Sequence, residues 1–312
     1  MIIFPKRQLT SWYASDEGRR RIDKGLGLAR DSNLAVIGIA RDCATGLKCL
    51  RPQIEQIRSH FRRSFVSIYE NDSLDSTKRD LLAWQAASPE IHLQLDQHAK
   101  SRKVPSFSEE RIARMAACRN RGLELMERSA AASGIKPDYV LMVDWDLRSL
   151  PAEGVFAALA DANAWDVLTA NGLAYRGRGY RRILRGYRYY DTYALLDHDG
   201  AQTQEAIFKN WERYSGLRPG QPPLKVKSAF GGAALYRAER LGDHRYGVLP
   251  NADPVVETLS EHTYLHRAMA KPGELRLCIH PTLLTFYERP WDVTLGQTLR
   301  RWHQSFTKQS VI

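Results

Sequence analysis

The sequence predicts an α/β fold built on a mainly parallel central sheet. Short apolar runs rich in Val and Ile alternate with segments of helical spacing through the first half of the chain. Each run turns polar at its C-terminal end, and open α/β sheets bind their ligands there. The 312 residues are 43% apolar and 26% charged, a globular mixture with enough chain for a sizeable core.

Residues 1–32 are basic and polar, with the run Arg19, Arg20, Arg21, and are read as an extension carrying one short helix. The first core element is NLAVIGIA, residues 33–40, which reads as a strand buried on both faces. Leu47, Leu50, Ile54 and Ile57 then recur at helical spacing. FVSIYE (65–70) is a second strand ending in Asn71-Asp72-Ser73, and residues 77–84 read as a helix. IHLQL (91–95) is a third strand. A long helix over 108–132 starts at Ser108, with Glu109 and Glu110 in its first turn. DYVLMVDWD (138–146) reads as a strongly apolar strand and ends in carboxylates.

The second half is less regular. Trp165 to Ala170 reads as a strand, as does LRLCIHPTLLTFY, and Thr258 to Ala270 as a helix. Residues 175–190 interleave five Tyr with six Arg, and a Gly pair interrupts LKVKSAFGGAALY at 224–236. Neither an internal repeat nor a long linker is visible. The expected organisation is a basic extension (1–32), one catalytic domain (33–289) and a basic tail (290–312). In the tail Leu295, Leu299, Trp302 and Phe306 form an apolar stripe on a helix, with Arg300, Arg301 and Lys308 nearby. Such a helix either lies in a membrane interface or packs on protein.

Composition narrows function. The net charge of +11 points to an anionic partner: nucleic acid, nucleotide phosphates or an anionic membrane surface. No apolar run approaches the roughly 18–20 residues of a membrane span, and MIIF is followed at once by Pro5, Lys6 and Arg7. A secreted or membrane-spanning protein is therefore not expected, and the reading is cytoplasmic, with peripheral attachment at the inner face of the membrane. Four cysteines without a CxxC pair suggest neither a zinc knuckle nor a disulfide framework.

Two D-x-D sequences occur, at Asp144-Trp145-Asp146 and Asp197-His198-Asp199, and context separates them. The first ends the central apolar strand. Alternation along a strand puts both carboxylates on one side and Trp145 on the other. Two carboxylates so placed suit Mg²⁺ or Mn²⁺, with positions left for a substrate's phosphate oxygens.

The motif order resembles glycosyltransferases of the GT-A fold, and most closely the alpha-mannosyltransferase family of fungal capsule synthesis. The matching segments are VIGIARDCA (36–44), YENDSLDST (69–77), RIARMAACRN (111–120), YVLMVDWDL (139–147), ANG (170–172), YYDTYAL (189–195), SAFGGAALY (228–236) and SEH (260–262). The resemblance implies a single Rossmann-like GT-A domain that moves a sugar, a mannose-like hexose first among them, from a nucleotide-diphosphate sugar. The acceptor is a glycan or a lipid-linked molecule in cell-surface polysaccharide synthesis, and the family precedent is retention of configuration. It also implies roles for residues. Asp144 and Asp146 hold the cation, with His262 and His280 as rivals for a third ligand. Ala40, Arg41 and Asp42, then Glu70 and Asp72, lie beside the nucleotide. Arg111, Arg119 and Asn120 match the donor-binding helix, and Gly231 and Gly232 the loop that lets backbone approach the donor. Glu261 faces the acceptor and, with Asp144, is the catalytic candidate. Two other functions compete. A nucleic-acid-binding protein would use the Tyr/Arg stretch, though no nucleic-acid motif accompanies it. A nucleotidyltransferase of related fold would need a Gly-rich phosphate loop that is not visible after the first strand.

Overall fold

The computed structural model of the chain describes residues 9–98, 105–175, 187–198, 200, 202–270 and 274–287. The expected strand–helix alternation is present: β1 (Asn33–Ala40), β2 (Arg63–Asn71), β3 (Ile91–Asp96) and β4 (Tyr139–Val143) alternate with helices. The helices among them are α1 (Asp16–Arg30), α2 (Ala44–Arg58), α3 (Thr77–Ala87) and α4 (Glu109–Ser133). Beyond β4 come α5 (Ala152–Leu159), β5 (Val167–Tyr175), β6 (Tyr187–Tyr189) and α6 (Gln204–Arg213). Then follow β7 (Leu224–Lys225), β8 (Ala233–Arg237), α7 (Ala238–Leu241), α8 (Glu261–Ala270) and β9 (Leu277–Phe286).

The described strands form one sheet in the order β3-β2-β1-β4-β8-β5-β9-β7, with β6 pairing β5. The β3-β2-β1-β4 half is wholly parallel, in register Val36↔Val66 and Val36↔Leu141. β8 enters antiparallel between β4 and β5, and parallel pairing returns at β5–β9. The sheet is buried on both faces. Along β1, Leu34 and Val36 pack with Leu47, Leu50 and Ile54 of α2 on one face. Ala35 and Ile37 pack with Ala116, Leu123 and Met126 of α4 on the other.

Local chemistry sets the element ends. Ser108 precedes α4 and its Oγ accepts the Arg111 N–H at 3.4 Å, while Gly134 closes the helix at φ 63°. α1, read as part of an extension, packs on α5. Gly25 lies so close to the Phe156 backbone that a Cβ would sit 1.8 Å from its carbonyl oxygen. Ala29 is fully buried in the main core, and the Tyr13 hydroxyl donates to the Thr282 carbonyl at 2.7 Å.

No described helix is long and apolar enough to cross a membrane. The apolar stripe of the tail and the interleaved residues 176–186 lie outside the described residues. Of the 175–190 stretch, Tyr175 and residues 187–190 are described, and the Arg188 guanidinium lies 3.9 Å from the Trp211 ring centroid.

Candidate active site

The C-terminal ends of β1, β2 and β4 open into a cavity of 790 Å³. Its wall includes Ala40 and Arg41 after β1, Asn71 and Asp72 after β2, and Arg111, Arg114, Arg119 and Arg121 on α4. Asp144, Asp146, Asp191, Glu261 and His262 complete the acidic end. This volume lies in the range of small-molecule and cofactor sites.

Asp144 and Asp146 both line the cavity, by a route different from strand alternation. β4 ends at Val143, and Asp144-Trp145-Asp146 turns: the Asp144 N–H donates to the Gly232 carbonyl at 2.9 Å, and the Leu147 N–H to the Asp144 carbonyl at 3.4 Å. Trp145 points away, 1% exposed and edge-on to Trp84. Its burial anchors the turn, so the two carboxylates share one side.

Burial raises both carboxyl groups above the usual range, Asp144 to about 7, with Asp146 and Asp191 adding to the rise of Asp144 and Arg119 opposing it. The Asp144 side chain remains 25% accessible, through the cavity. Two carboxylates brought into one cavity against their desolvation cost form a hard-oxygen pair, and Mg²⁺ or Mn²⁺ fits that chemistry. Among the described residues no group of three or more His, Cys, Asp or Glu could hold a metal ion. The fit is therefore to a cation that takes two carboxylates from protein and the rest of its ligands from substrate and water.

Arg119 is the hub of the acidic end. Its Nε donates to Glu261 Oε1 at 2.9 Å and its Nη2 to Asp144 Oδ1 at 3.2 Å. The guanidinium lies 5.0 Å from the Phe230 ring centroid. Despite burial, which opposes charge, the Asp144 and Glu261 carboxylates raise its pKa and keep it a cation. Arg119, matched to the donor-binding helix, turns its Nε and Nη2 to protein carboxylates. Arg41, Arg111, Arg114 and Arg121 supply the further positive charge along the wall.

The remaining candidates divide. Asp72, at φ 56°, lines the cavity and accepts the His98 N–H at 2.7 Å, which holds its carboxyl below the usual range. Asp42 ties loops together, its Oδ1 accepting the Leu74 N–H at 2.7 Å, and Glu70 is 1% exposed and accepts the Ser73 N–H at 2.8 Å. Neither belongs to the cavity wall. Asn120 faces Tyr246 and makes two hydrogen bonds with its backbone, at 2.8 and 3.0 Å. Gly231 and Gly232 stand behind Asp144, at φ 68° and 83°. A Cβ on Gly232 would lie 2.4 Å from the Tyr287 hydroxyl.

The two histidines are placed differently. His262 lines the cavity, stacked at 3.9 Å on Phe230, and burial drives its pKa well below the usual value. His280 lies elsewhere: on β9, 1% exposed, with Nε2 3.5 Å from Asp161 and Nδ1 accepting the Thr282 N–H at 3.2 Å. It does not share a site with Asp144: it lies inside β9, seven residues before Tyr287, the residue just past that strand that does line the cavity. The second D-x-D is structural at Asp197, which accepts the Tyr214 hydroxyl at 2.6 Å and pairs with Arg213 at 2.9 Å.

Sequence reasoning gave no role to Asp191 or to the Tyr190–Tyr287 pair, whose ring centroids lie 3.8 Å apart at a tilt of 33° in the cavity wall. Asp191 sits inside a segment matched to a family but in no spacing pattern. Tyr190 and Tyr287 are 97 residues apart and meet only through the pairing of β6 and β9 with β5.

No curated protein matches the chain. Among solved structures it is similar to the mannosyltransferase PcManGT of Pyrobaculum calidifontis in complex with GDP-Man and Mn²⁺, at 12% identity and TM-score 0.42, over 81% of this chain and 56% of that one. It is similar to S. aureus TarS 1-349 at 14% identity and TM-score 0.46, over 83% of this chain and 61% of that one. For glucosyl-3-phosphoglycerate synthase from Mycobacterium tuberculosis, in complex with Mn²⁺, UDP and phosphoglyceric acid, the values are 12% and 0.44, over 87% and 76%. The chain thus spans about three fifths of the length of the first two. The sequence profile described as Cryptococcal mannosyltransferase 1 matches residues 54–276, well over half of the 312. By that match the chain belongs to the cryptococcal mannosyltransferase 1 family.

Proposed function

We propose that this chain is a metal-dependent glycosyltransferase that binds a nucleotide-diphosphate sugar in the cavity and transfers its sugar to a glycan or lipid-linked acceptor. The observation that carries the reading is the carboxylate pair Asp144 and Asp146 at the sheet's C-terminal edge, in a cavity that Arg41, Arg111, Arg114 and Arg121 also line. Carboxylates alone repel a diphosphate, and arginines alone leave the carboxylates uncompensated. A diphosphate with a divalent cation satisfies both. Family membership supports mannose as the sugar, GDP-mannose as the first donor to test and retention as the stereochemical outcome. A role in cell-surface polysaccharide synthesis rests on the same support.

Asp144 and Asp146 would hold Mn²⁺ or Mg²⁺. Bound there, the ion neutralises the charge that develops on the departing diphosphate. The protein's own groups do the rest. Arg119 favours the ionised form of Asp144 against the effect of burial and aims it, while it holds Glu261 at the cavity wall. The α4 arginines attract the anionic donor and orient it. Phe230 and His262, stacked at 3.9 Å, give the acidic end an apolar wall against which the Arg119 guanidinium rests.

The experiment is a donor screen that follows release of nucleoside diphosphate across common nucleotide sugars, with Mn²⁺, with Mg²⁺ and with EDTA. Wild-type protein is expected to turn over one donor only with a divalent ion, and Asp146→Ala to lower that rate by about two to three orders of magnitude. Full activity in EDTA, or an unchanged rate for Asp146→Ala, overturns the assignment.

A further inference from the structure

Four carboxylates crowd the acidic end of the cavity, and they differ in what holds them. Asp144 and Glu261 share the Arg119 guanidinium. Among the described residues neither Asp146 nor Asp191 has an ion-pair partner. Asp146 has a task in the cation site. Asp191 has none in the account so far, yet it is held in place. Its Oδ2 accepts the Gly231 N–H at 3.1 Å and its Oδ1 the Ala194 N–H at 3.4 Å.

The link to Gly231 also sets where the carboxylate sits. Gly231 and Gly232 form a turn at positive φ, and the Gly232 carbonyl accepts the Asp144 N–H at 2.9 Å. One side of this two-residue bridge therefore grips the Asp191 carboxylate and the other grips the backbone of Asp144. Thr285 reinforces the bridge by donating its hydroxyl to the Gly231 carbonyl. The distance between Asp191 and the cation site is thereby fixed by backbone rather than by a flexible side chain. A carboxylate held in a cavity without an ion-pair partner costs stability, and such groups concentrate where charge develops during a reaction.

We propose that Asp191 is a catalytic residue whose fixed negative charge faces the transferring sugar and stabilises the positive charge that grows on its ring. The proposal rests on the glycosyltransferase reading of the cavity. In the transfer, the bond from C1 to the diphosphate oxygen breaks and its electron pair leaves with that oxygen. The acceptor hydroxyl oxygen forms the new bond to C1, and its proton ends on the released diphosphate. Asp191 neither forms a bond nor takes the proton. It lowers the barrier because the ring is most positive when the old bond is broken and the new one incomplete, so its charge binds the transition state more tightly than the ground state.

The rival role for Asp191 is to brace the glycine bridge. Asp191→Asn separates the two, because the amide oxygen still accepts the Gly231 N–H while the charge is gone. The measurements are GDP-mannose affinity by calorimetry with Mn²⁺ and single-turnover release of GDP, with the thermal midpoint as control. The expected result is a release rate down about 100-fold with GDP-mannose affinity within about threefold of wild type. A rate within about fivefold of wild type overturns the proposal, as does a loss of affinity equal to the loss of rate. Should Asp191→Asn unfold, Asp191→Ala with added formate decides. Formate is expected to raise its release rate about tenfold by restoring a negative charge, and no response overturns the proposal. Wild-type protein is run first across the donor panel. If it binds and turns over no nucleotide sugar, the glycosyltransferase reading fails, and that outcome is distinct from a variant behaving like an active wild type.

Discussion

Arg119 shows how one buried side chain serves both stability and site geometry. Its side chain is 8% exposed, and it carries the only cation bonded to Glu261 and Asp144 among the described residues. Arg119→Met keeps the bulk near Phe230 but leaves two carboxylates without their counter-charge. Breaking a buried ion pair from one side costs about 3–5 kcal/mol. The expected outcome is a loss of that order in urea unfolding, and adding Glu261→Gln to the same protein should recover part of it. If Arg119 acted on the diphosphate alone, stability would be unchanged and donor affinity would carry the whole effect.

At the scale of the element, α8 and the glycine bridge are the parts to test. α8 carries His266, whose Nδ1 lies 2.9 Å from Ser228 Oγ and whose Nε2 lies 2.9 Å from the Tyr236 hydroxyl. Burial lowers its pKa to about 3, so the folded protein holds it neutral. The unfolded chain protonates it near pH 6.5, so between about 6.5 and 3 the unfolded state binds more protons, and stability is lost as pH falls through that window. His262, also lowered by burial, adds in the same direction. Unfolding free energy is expected to drop by about 1.4 kcal/mol per pH unit for each such histidine below pH 6.5. Denaturant titrations at pH 7, 6 and 5 check this, and His266→Gln should flatten the slope. The glycine bridge gives a second prediction. A Cβ on Gly231 would lie 2.1 Å from the Ala170 carbonyl oxygen, and its φ of 68° is unfavourable for other residues. Gly231→Ala should therefore lower the thermal midpoint, at a cost of at least about 1 kcal/mol, and reduce turnover by displacing Asp144.

Across the whole molecule, the two faces of the sheet have separate helical covers, and α1 belongs to one of them. Gly25 permits backbone contact with Phe156, and Ala29 lies in the core beside Leu34. Gly25→Val forces α1 away from α5 and is expected to cost about 1–3 kcal/mol, read as a fall in the thermal midpoint. An unchanged midpoint would mean that α1 rests on the surface without contributing to the fold. The cavity forms where α4 and α8, the helices of one face, meet the strand ends of β1, β2 and β4, so its two walls come from segments more than 100 residues apart in sequence.

That arrangement explains what was legible in advance. β1 was read as residues 33–40 and is Asn33–Ala40, because a strand buried on both faces must be continuously apolar and its ends must turn polar. The long helix was bounded by Ser108 for the equally local reason that an N-cap bonds within its own first turn. Asp144 and Asp146 were found because an apolar strand delivered them, although a turn anchored by Trp145, and not alternation, aims them together. Local sequence thus determined the elements and the strand-end carboxylates, through patterns that span a few residues. Tertiary structure alone decided that Arg119 is bound by carboxylates, that His280 lies inside β9 away from the cavity, and that Asp191 is joined to Asp144 through a pair of glycines. Each of those outcomes depends on contacts between distant segments, and neither side-chain type nor spacing encodes which partner a buried charge will meet once the sheet has closed.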